Sequence, residues 1–301
     1  MRTLKEYAKI VNDRLENLLP KLPENSFSEG GMPELLCRSM NYSLLAGGKR
    51  LRPSMFLAAV EMLGGDAEAW LDFACAVEMI HSYSLIHDDL PGMDDDTMRR
   101  GRPTNHVVFG VGQAILAGDG LLNGAFEVML GCALRHPEAS ERALRAIREV
   151  ATGAGVTGMI AGQVMDLYCE RSGGANDAAL SFIQRDKTAC MFIYPLRAAA
   201  RLAGASEEQI DAMGAYGEAF GRAFQAVDDL LDVLGDSKEM GKTLGKDAEQ
   251  GKLTMVSRYG VDGTKELVRD QCERAIQALA GFGPEADFFR GLMLDTAERT
   301  N

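Results

Sequence analysis

One long apolar run constrains the fold of this chain more than any other segment. Residues 69–89, AWLDFACAVEMIHSYSLIHDD, are apolar on nearly every side of a helix. A helix of this kind has to be buried, and a chain of 301 residues can form a core large enough to bury it. The sequence is also rich in Ala, Leu, Met and Glu, and it has few runs of the β-branched residues that parallel strands need. We therefore predict an all-α fold with this helix in its middle.

Other helices are predicted on both sides of the apolar run. The opening segment carries the stripe of an amphipathic helix at Leu4, Ala8, Val11, Leu15, Leu18 and Leu22. Segments 25–33 and 46–53 are predicted to be breaks, and the second contains Gly47, Gly48 and Pro53. Further helices are predicted over residues 113–134, 138–163, 179–203, 207–234 and 263–280, with Ser206 and Gln209 as a capping box. Because no linker or change of composition interrupts the chain, we expect residues 1–301 to form a single domain.

Charge and cysteine content narrow the possible function. A net charge of −12 argues against a nucleic-acid-binding protein, which needs a broad basic face. The six cysteines contain no CxxC pair, so neither a zinc site nor a disulfide framework is predicted, and the cytoplasm is the simplest compartment. The N-terminus lacks the uninterrupted apolar core of a signal peptide. No run of 18 apolar residues occurs, so no transmembrane segment is expected.

Two acidic motifs share one spacing. FQAVDDLLDVLGD (224–236) contains Asp228, Asp229 and Asp232, and residues three and four apart lie on one face of a helix. We therefore expect Asp228 and Asp232 to project together, with Asp229 close by. An apolar helical run precedes each of the two motifs, and basic residues follow each of them. These are Arg99 and Arg100 after the first motif, and Lys242, Lys246 and Lys252 after the second.

The first motif reaches the same spacing only when two residues are removed. In HDDLPGMDDDTMRRGRP (87–103), Asp88 and Asp94 are six apart and would point to different faces of an ideal helix. Without Pro91 and Gly92, DDLPGMD becomes DDLMD. Proline lacks an amide hydrogen and glycine tolerates unusual backbone angles, so we predict a bulge here that restores the register.

The chemistry of paired acidic clusters indicates a metal site. If the clusters face each other, each like-charge pair at about 4 Å costs about 4 kcal/mol, and several pairs would rival the roughly 5–15 kcal/mol that stabilises a domain. Carboxylates without His or Cys ligands suit Mg²⁺, which also binds water and substrate phosphates, while Lys and Arg would hold the other phosphate oxygens. A single acidic cluster is more often a solvated helix face, but two with the same spacing favour a diphosphate site.

The motifs and their order resemble the short-chain trans-polyprenyl diphosphate synthase family, most closely its bacterial farnesyl diphosphate synthases. The matching segments are GGKRLRP (47–53), HSYSLIHDDLPGMDDDTMRRGRPTNH (81–106), AGDGLLNGAFE (117–127), GQVMDL (162–167), DKTA (186–189), FQAVDDLLDVLGD (224–236) and GKTLGKDAEQGKLT (241–254). The resemblance implies an all-α bundle around a deep central cavity, usually assembled as a homodimer. It also implies that isopentenyl diphosphate and an allylic diphosphate are the substrates.

The resemblance further implies roles at the matching positions. Several Mg²⁺ ions are expected at Asp88, Asp94 and Asp228, with Asp89 and Asp232 close by. The allylic diphosphate is expected to meet Arg99, Lys187 and Lys242. Isopentenyl diphosphate is expected to meet Lys49, Arg52, His81 and Arg100, and Thr188 and Gln225 resemble the polar residues beside the reacting carbons. Outside this context, Lys49 and Arg52 would be ordinary charges near a helix end, and His81 would be a core histidine.

Product length is expected to depend on α-helical positions just before Asp88. Tyr83 and Ser84 lie five and four residues earlier, roughly 6–8 Å along the axis, where the growing tail would end. In the family that the sequence resembles, an aromatic residue at the position of Tyr83, together with the Pro-Gly insertion, accompanies C15 products. Farnesyl diphosphate is therefore the expected product, and the C20 product is the alternative. A class I terpene cyclase or a non-catalytic subunit is the remaining alternative, but the first has no need of a second anion site and the second has no need of both motifs.

Overall fold

The computed structural model describes residues 2–19, 26, 32–172, 174, 176–234 and 253–299. The structure is 78% helical and 1% strand, which confirms the predicted all-α fold. Contacts divide the chain into two compact units. The N-terminal unit consists of Arg2–Leu57 and Asp66–Leu144, and the C-terminal unit contains Ala58–Gly65 and Arg145–Asn301. The expectation of one domain over residues 1–301 stays a prediction.

The apolar run forms the central helix of the N-terminal unit. This helix, α4 (Leu71–Asp88), has every side chain from Phe73 to Ile80 buried, as its sequence predicts. It packs against α1 (Leu4–Leu15), α2 (Glu34–Leu44) and α6 (Val111–Arg135). The opening helix is shorter than the apolar stripe indicates, because α1 ends at Leu15 and position 22 lies outside the described residues.

A small hairpin that the sequence analysis did not predict follows α4. Strands β1 (Met98–Arg99) and β2 (Arg102–Pro103) pair antiparallel, and a two-residue turn joins them. Both turn residues have positive φ, 53° at Arg100 and 71° at Gly101, which is the conformation that matches the twist of a tight hairpin. The short helix α5 (Asn105–Phe109) connects the hairpin to α6.

The C-terminal unit is built around a long helix, α11 (Glu207–Leu234). Two helices, α3 (Leu51–Met62) and α7 (Ser140–Ala154), contain a unit boundary. The other elements of this unit are α8 (Met159–Ser172), α9 (Asp177–Ile183), a π-helix (Gln184–Ala189), α10 (Cys190–Ala203), α12 (Met255–Ala278) and α13 (Asp287–Glu298). Glycines allow α11 to approach α10 closely, because a Cβ at Gly217 would lie 2.8 Å from Cα of Ile193.

The predicted helix boundaries are correct in some places and wrong in others. Helix α11 covers the predicted range and starts with the predicted capping box, in which Ser206 N donates to Gln209 Oε1 at 3.0 Å. The predicted helix over 138–163 is wrong, because a turn at residues 155–158 separates α7 from α8. Gly155 and Gly158 weaken a helix at this point. Helix α12 starts at Met255, eight residues before the predicted start at 263, and it is kinked at Gly260.

Candidate active site

The GGKRLRP segment forms the turn between α2 and α3 and has left-handed backbone at three positions. The φ angles are 82° at Gly47, 119° at Gly48 and 47° at Arg50. A Cβ at position 48 would lie 2.9 Å from Cζ of Arg100, so only glycine fits there without a shift. Arg100 also donates a hydrogen bond from Nη1 to the Gly47 carbonyl oxygen. The loop that carries Lys49 therefore lies directly against the Arg100 guanidinium.

His81 lies on α4 within a group of arginines. Desolvation holds its pKa well below the ordinary value of 6.5, and the positive charges of Arg52, Arg100 and Arg99 lower this pKa further. The pKa of Arg100 is itself lowered, chiefly by desolvation. Desolvated cations that repel one another are stabilised when an anion binds between them. The structure thus brings Arg52, His81 and Arg100 together in an arrangement that suits a bound anion, next to the loop that carries Lys49.

The first acidic motif begins at the last residue of α4 and continues in a turn. The Asp94 amide donates a hydrogen bond to the Asp88 carbonyl oxygen at 2.8 Å, so the turn returns the chain to the helix end. Pro91 has no amide hydrogen to donate to His87, whose carbonyl accepts instead from Leu90 at 3.1 Å. Helix α4 ends at Asp88, so the predicted bulge takes the form of a turn, and the bond from Asp94 to Asp88 spans the two extra residues. The backbones of Asp88 and Asp94 thus lie next to each other, as predicted.

Asp89 is buried and bonded to an arginine that the sequence analysis assigned to the allylic substrate. Arg99 Nε donates to Oδ1 and Oδ2 of Asp89 at 2.8 and 3.0 Å, and Arg99 Nη2 lies 2.7 Å from Oδ1. Burial raises the pKa of Asp89, and the hydrogen bond and charge of Arg99 oppose that rise. Both oxygens of Asp89 are thus bonded to Arg99. This geometry gives no support to the predicted metal role of Asp89 and indicates that the carboxylate orients Arg99.

The second acidic motif lies near the end of α11, where the helix is unbroken. Asp228 is half-buried, and Asp232, one turn later on the same face, is buried. Asp229 is 4% exposed. It accepts hydrogen bonds at Oδ1 from Gln225 Nε2 and at Oδ2 from the Met255 amide, both at 2.8 Å. Asp229 therefore connects α11 to the first residue of α12.

Lys187 and Thr188 lie on the π-helix that joins α9 to α10. Such helices are rare and occur mostly at functional sites. The GQVMDL segment on α8 accommodates this one, because a Cβ at Gly162 would lie 2.1 Å from the Lys187 backbone nitrogen. Asp166 of the same segment forms an ion pair with Lys187 Nζ. The glycine of the motif thus admits the π-helix, and its aspartate holds the lysine predicted to bind the allylic diphosphate.

A cleft in the C-terminal unit is lined by Asp166, Lys187, Thr188, Gln225 and Asp229. Thr188 Oγ1 donates to Gln225 Oε1 at 2.9 Å, and the amide of Gln225 donates in turn to Asp229. Lys187 and Gln184 line the same cleft. A cation, a hydroxyl and two amides therefore share one cleft, which suits the predicted contacts with a diphosphate and with the reacting carbons beside it.

Tyr83 is buried on α4, where the sequence analysis placed the end of the product tail. Its side chain contacts the His87 ring edge-on, with 5.7 Å between ring centroids. His87 itself occupies the space next to Gly118 on α6, since a Cβ there would lie 2.1 Å from His87 Nε2. Ser84 Oγ donates to the His81 carbonyl at 2.9 Å and so bonds to its own helix. Tyr83 is the bulky group at this level of α4.

The described residues contain part of the predicted site and reveal residues that the sequence analysis missed. Lys242 lies outside the described residues. Asp166, Asp229 and Arg50 had no predicted role, although each belongs to one of the motifs GQVMDL, FQAVDDLLDVLGD and GGKRLRP. Their positions in those motifs were a signal, but their bonds to residues distant in sequence could not be read from spacing.

The carboxylates suit Mg²⁺, although they do not form a complete metal site by themselves. Among the residues that the structure describes, no group of three or more His, Cys, Asp and Glu side chains could hold a metal ion. Mg²⁺ commonly binds through one or two carboxylates and takes its other ligands from water and substrate phosphates. Asp88 with Asp94 in one unit, and Asp228 with Asp232 in the other, each offer such a pair.

Comparisons with known proteins agree on the family. The sequence matches the polyprenyl synthetase family over residues 33–280. Geranylgeranyl pyrophosphate synthase 11 of Arabidopsis thaliana is 45% identical over 253 residues, which cover 83% of this chain and 70% of the relative. The corresponding synthase of Catharanthus roseus is 44% identical over 253 residues, which cover 84% of this chain and 70% of the relative.

Solved structures give the same result. An FPP/GFPP synthase from Zymomonas mobilis superposes with a TM-score of 0.85 and 32% identity over 97% of each chain. A geranyltransferase from Helicobacter pylori, complexed with magnesium and isoprenyl diphosphate, gives a TM-score of 0.81 and 28% identity over 99% of this chain and 95% of that chain. With most of its length matched, the chain belongs to the polyprenyl synthetase family and is a prenyltransferase.

Proposed function

We propose that this protein condenses isopentenyl diphosphate with dimethylallyl or geranyl diphosphate, with Mg²⁺ bound, to form farnesyl diphosphate. The observation that supports a two-substrate reaction is the group of arginines around His81, because positive charges gathered beside a desolvated side chain suit a second bound anion. A class I terpene cyclase binds one diphosphate and has no need of such a cluster. The magnesium and isoprenyl diphosphate in the Helicobacter pylori relative support these ligands here.

In the proposed site each diphosphate has its own cations. Isopentenyl diphosphate binds to Lys49, Arg52, His81 and Arg100. The allylic diphosphate binds to Arg99, Lys187 and Lys242. Asp89 and Asp166 already fix the first two of these allylic-site cations, so few side chains need to be ordered when the substrate binds. Several Mg²⁺ ions would be held by Asp88, Asp94, Asp228 and Asp232 and would stabilise negative charge on the leaving diphosphate.

The proposed reaction breaks an allylic C–O bond and a C–H bond and forms a new C–C bond. The allylic C–O bond breaks, and its electron pair leaves with the diphosphate. The double bond of isopentenyl diphosphate then attacks the allylic cation, and the new C–C bond leaves a cation one carbon away. Loss of a proton to the departed diphosphate restores a double bond. Thr188 and Gln225 lie in the cleft beside Lys187, where they can orient the reacting carbons.

The buried side chain of Tyr83 supports a C15 product. It lies five residues before Asp88, about 7.5 Å along the helix, and a tail growing along α4 from the diphosphate would meet its ring. The C20 product is the second candidate, because the relatives from Arabidopsis thaliana and Catharanthus roseus are geranylgeranyl pyrophosphate synthases.

Product analysis tests the proposal directly. The purified protein is incubated with Mg²⁺, labelled isopentenyl diphosphate and either dimethylallyl or geranyl diphosphate, and the dephosphorylated alcohols are then separated by length. We expect farnesol from both primers and no product after chelation of the metal. Geranylgeraniol as the main product would establish the C20 alternative, and no incorporation of isopentenyl diphosphate would overturn the proposed reaction.

We also propose that the active form is a homodimer in which α6 contacts a second copy of the chain. Helix α6 is long and apolar enough to meet the length and composition expected of a membrane span, but only about a third of its most apolar 18 residues are buried. The exposed apolar side chains include Ile115, Leu116, Leu130 and Leu134. Light scattering after gel filtration should give twice the chain mass, and Leu130→Glu with Leu134→Glu should give the monomer mass.

A reducing compartment such as the cytoplasm is proposed from the cysteines. All six are free in the structure, and five of them are buried. Burial raises the pKa of Cys132 to about 11, so this side chain stays a thiol at neutral pH. Cell fractionation with an antibody to the protein would test the location.

A further inference from the structure

Arg50 is a cation of the GGKRLRP segment that has no part in the reaction described above. Its side chain is 1% exposed and makes three hydrogen bonds. Nη1 donates to Glu78 Oε1 at 2.7 Å, Nε donates to Asn12 Oδ1 at 2.8 Å, and Nη2 donates to the Leu44 carbonyl at 2.8 Å. These acceptors belong to α4, α1 and the end of α2. One guanidinium therefore fixes the loop to three helices of the N-terminal unit.

The backbone at this position is unfavourable for a residue with a side chain. The φ of Arg50 is 47°, in the left-handed region that residues with a Cβ rarely adopt. The three side-chain bonds hold it there. Lys49 precedes this residue and the first turn of α3, with Arg52, follows it, so the direction of both cations depends on the conformation at position 50.

Glu78 connects the same bonds to the helix side of the anion site. It is 2% exposed and lies one turn before His81 on α4, so the two residues are near neighbours on one helix face. Its negative charge also acts on Arg100, whose pKa it raises against the larger effect of desolvation. The pair of Arg50 and Glu78 thus joins the loop with Lys49 to the helix with His81.

We propose that Arg50 and Glu78 are positioning residues that set the geometry of the isopentenyl diphosphate site, an inference that rests on the proposed function. Neither residue needs to touch the substrate. A planar guanidinium can donate in three directions at once, whereas a lysine ammonium at the end of a flexible chain cannot reach acceptors on three helices. The position therefore requires arginine and not merely a positive charge.

Steady-state kinetics on three variants tests this role. Arg50→Lys keeps the charge but removes the fork, and Glu78→Gln keeps an acceptor but removes the charge. For both, we expect the KM for isopentenyl diphosphate to rise about tenfold, while the KM for the allylic substrate and kcat at saturation change less than about threefold. Asn12→Ala, at a half-buried position where folding is less at risk, should raise the same KM about threefold.

Asp72→Asn is the matched control. Asp72 lies on the same helix and also pairs with arginines, Arg14 and Arg135, but it is at the other end of α4. The Asp72→Asn variant should have a lower melting temperature, with unchanged KM values for isopentenyl diphosphate and for the allylic substrate. Equal increases in both KM values for Glu78→Gln, or no increase in any of the three test variants, would overturn the positioning role. A wild-type protein that fails to consume isopentenyl diphosphate would instead overturn the proposed function, so the two failures are distinguishable.

Discussion

In the first acidic motif the helix ends at Asp88 and a turn returns Asp94 to its end, whereas in the second the helix runs unbroken through Asp228 and Asp232. The two backbones differ because Pro91 cannot continue the hydrogen bonding of α4. Each motif nevertheless offers a pair of carboxylates, Asp88 with Asp94 in the first and Asp228 with Asp232 in the second. In each, another aspartate directly follows the first member of the pair. Similar chemistry is thus available from a helix end with a turn and from a continuous helix.

The second aspartate of each motif shows what the two regions share. Asp89 and Asp229 are 3% and 4% exposed, and both oxygens of each accept hydrogen bonds. Asp89 holds Arg99, and Asp229 holds Gln225 and the start of α12. In both motifs, then, the second aspartate organises neighbouring groups. The first and third aspartates of each motif remain the candidates for metal binding. The aspartates of one motif therefore have two different functions, metal binding and the positioning of neighbouring groups, although their spacing does not distinguish them.

The largest effect is expected from the first aspartate of each motif. Asp88→Asn and Asp228→Asn should each lower kcat by about 10²–10³-fold, because each removes a charge that would hold a metal against the leaving diphosphate. Steady-state assays at saturating substrates and rising Mg²⁺ concentration measure this loss. Near-normal turnover in only one of the two variants would show that only one motif binds the metal. It would contradict the expectation that Asp88 and Asp228 have the same role.

A smaller effect on turnover is expected from the second aspartates. Asp89→Asn and Asp229→Asn should reduce kcat about tenfold, less than the substitutions above, and should lower the free energy of unfolding by about 1–3 kcal/mol because buried hydrogen bonds are weakened. Urea denaturation followed by circular dichroism gives the second quantity. If Asp89→Asn lowers kcat as much as Asp88→Asn while stability is unchanged, Asp89 belongs with the metal ligands after all.

The helices around these motifs were predictable to different degrees. The range of α11 follows from its period and its capping box, and α4 follows from an apolar run that has no alternative to burial. The split between α7 and α8 was missed because the apolar pattern continues across the glycines of the turn. A hydrophobic pattern reports which face is buried, but it is insensitive to a local break that leaves the face unchanged.

Roles within the site were harder to predict because they depend on partners that belong to other structural elements. The acidic spacing indicated Asp88 and Asp228, yet nothing in it distinguishes Asp89, since the arginine that bonds to it lies ten residues later on an unpredicted hairpin. Likewise, Gly162 and Asp166 were recognised only as part of a motif. Their function becomes evident once α8 packs against the π-helix.

The residues just before the motifs sharpen the comparison further. Tyr83 precedes Asp88 by five positions and Gln225 precedes Asp228 by three. Tyr83→Ala should shift the main product from C15 to C20 or longer, because it removes a ring from the expected end of the tail, with kcat changed less than about tenfold. Gln225→Leu should slow turnover without lengthening the product. Chromatography of the alcohols measures both, and an unchanged distribution for Tyr83→Ala would exclude Tyr83 as the limit on length.

The smallest expected effect is a pH dependence that belongs to the first region. Since desolvation and Arg52 hold the pKa of His81 below the ordinary 6.5, the unfolded chain binds a proton at this residue more readily than the folded chain does. His81 therefore lowers the free energy of unfolding as pH falls below 6.5, and above that value its contribution to the free energy of unfolding does not change with pH. His81→Gln should reduce the fall in melting temperature between neutral and mildly acidic pH, by a few degrees at most. His136→Gln is the control, because this histidine packs against Trp70 at 4.9 Å between ring centroids and not among the arginines. If both variants change the pH profile equally, neither desolvation nor the arginines lower the pKa of His81 in the folded protein, and the anion site inferred from this shift loses its electrostatic support.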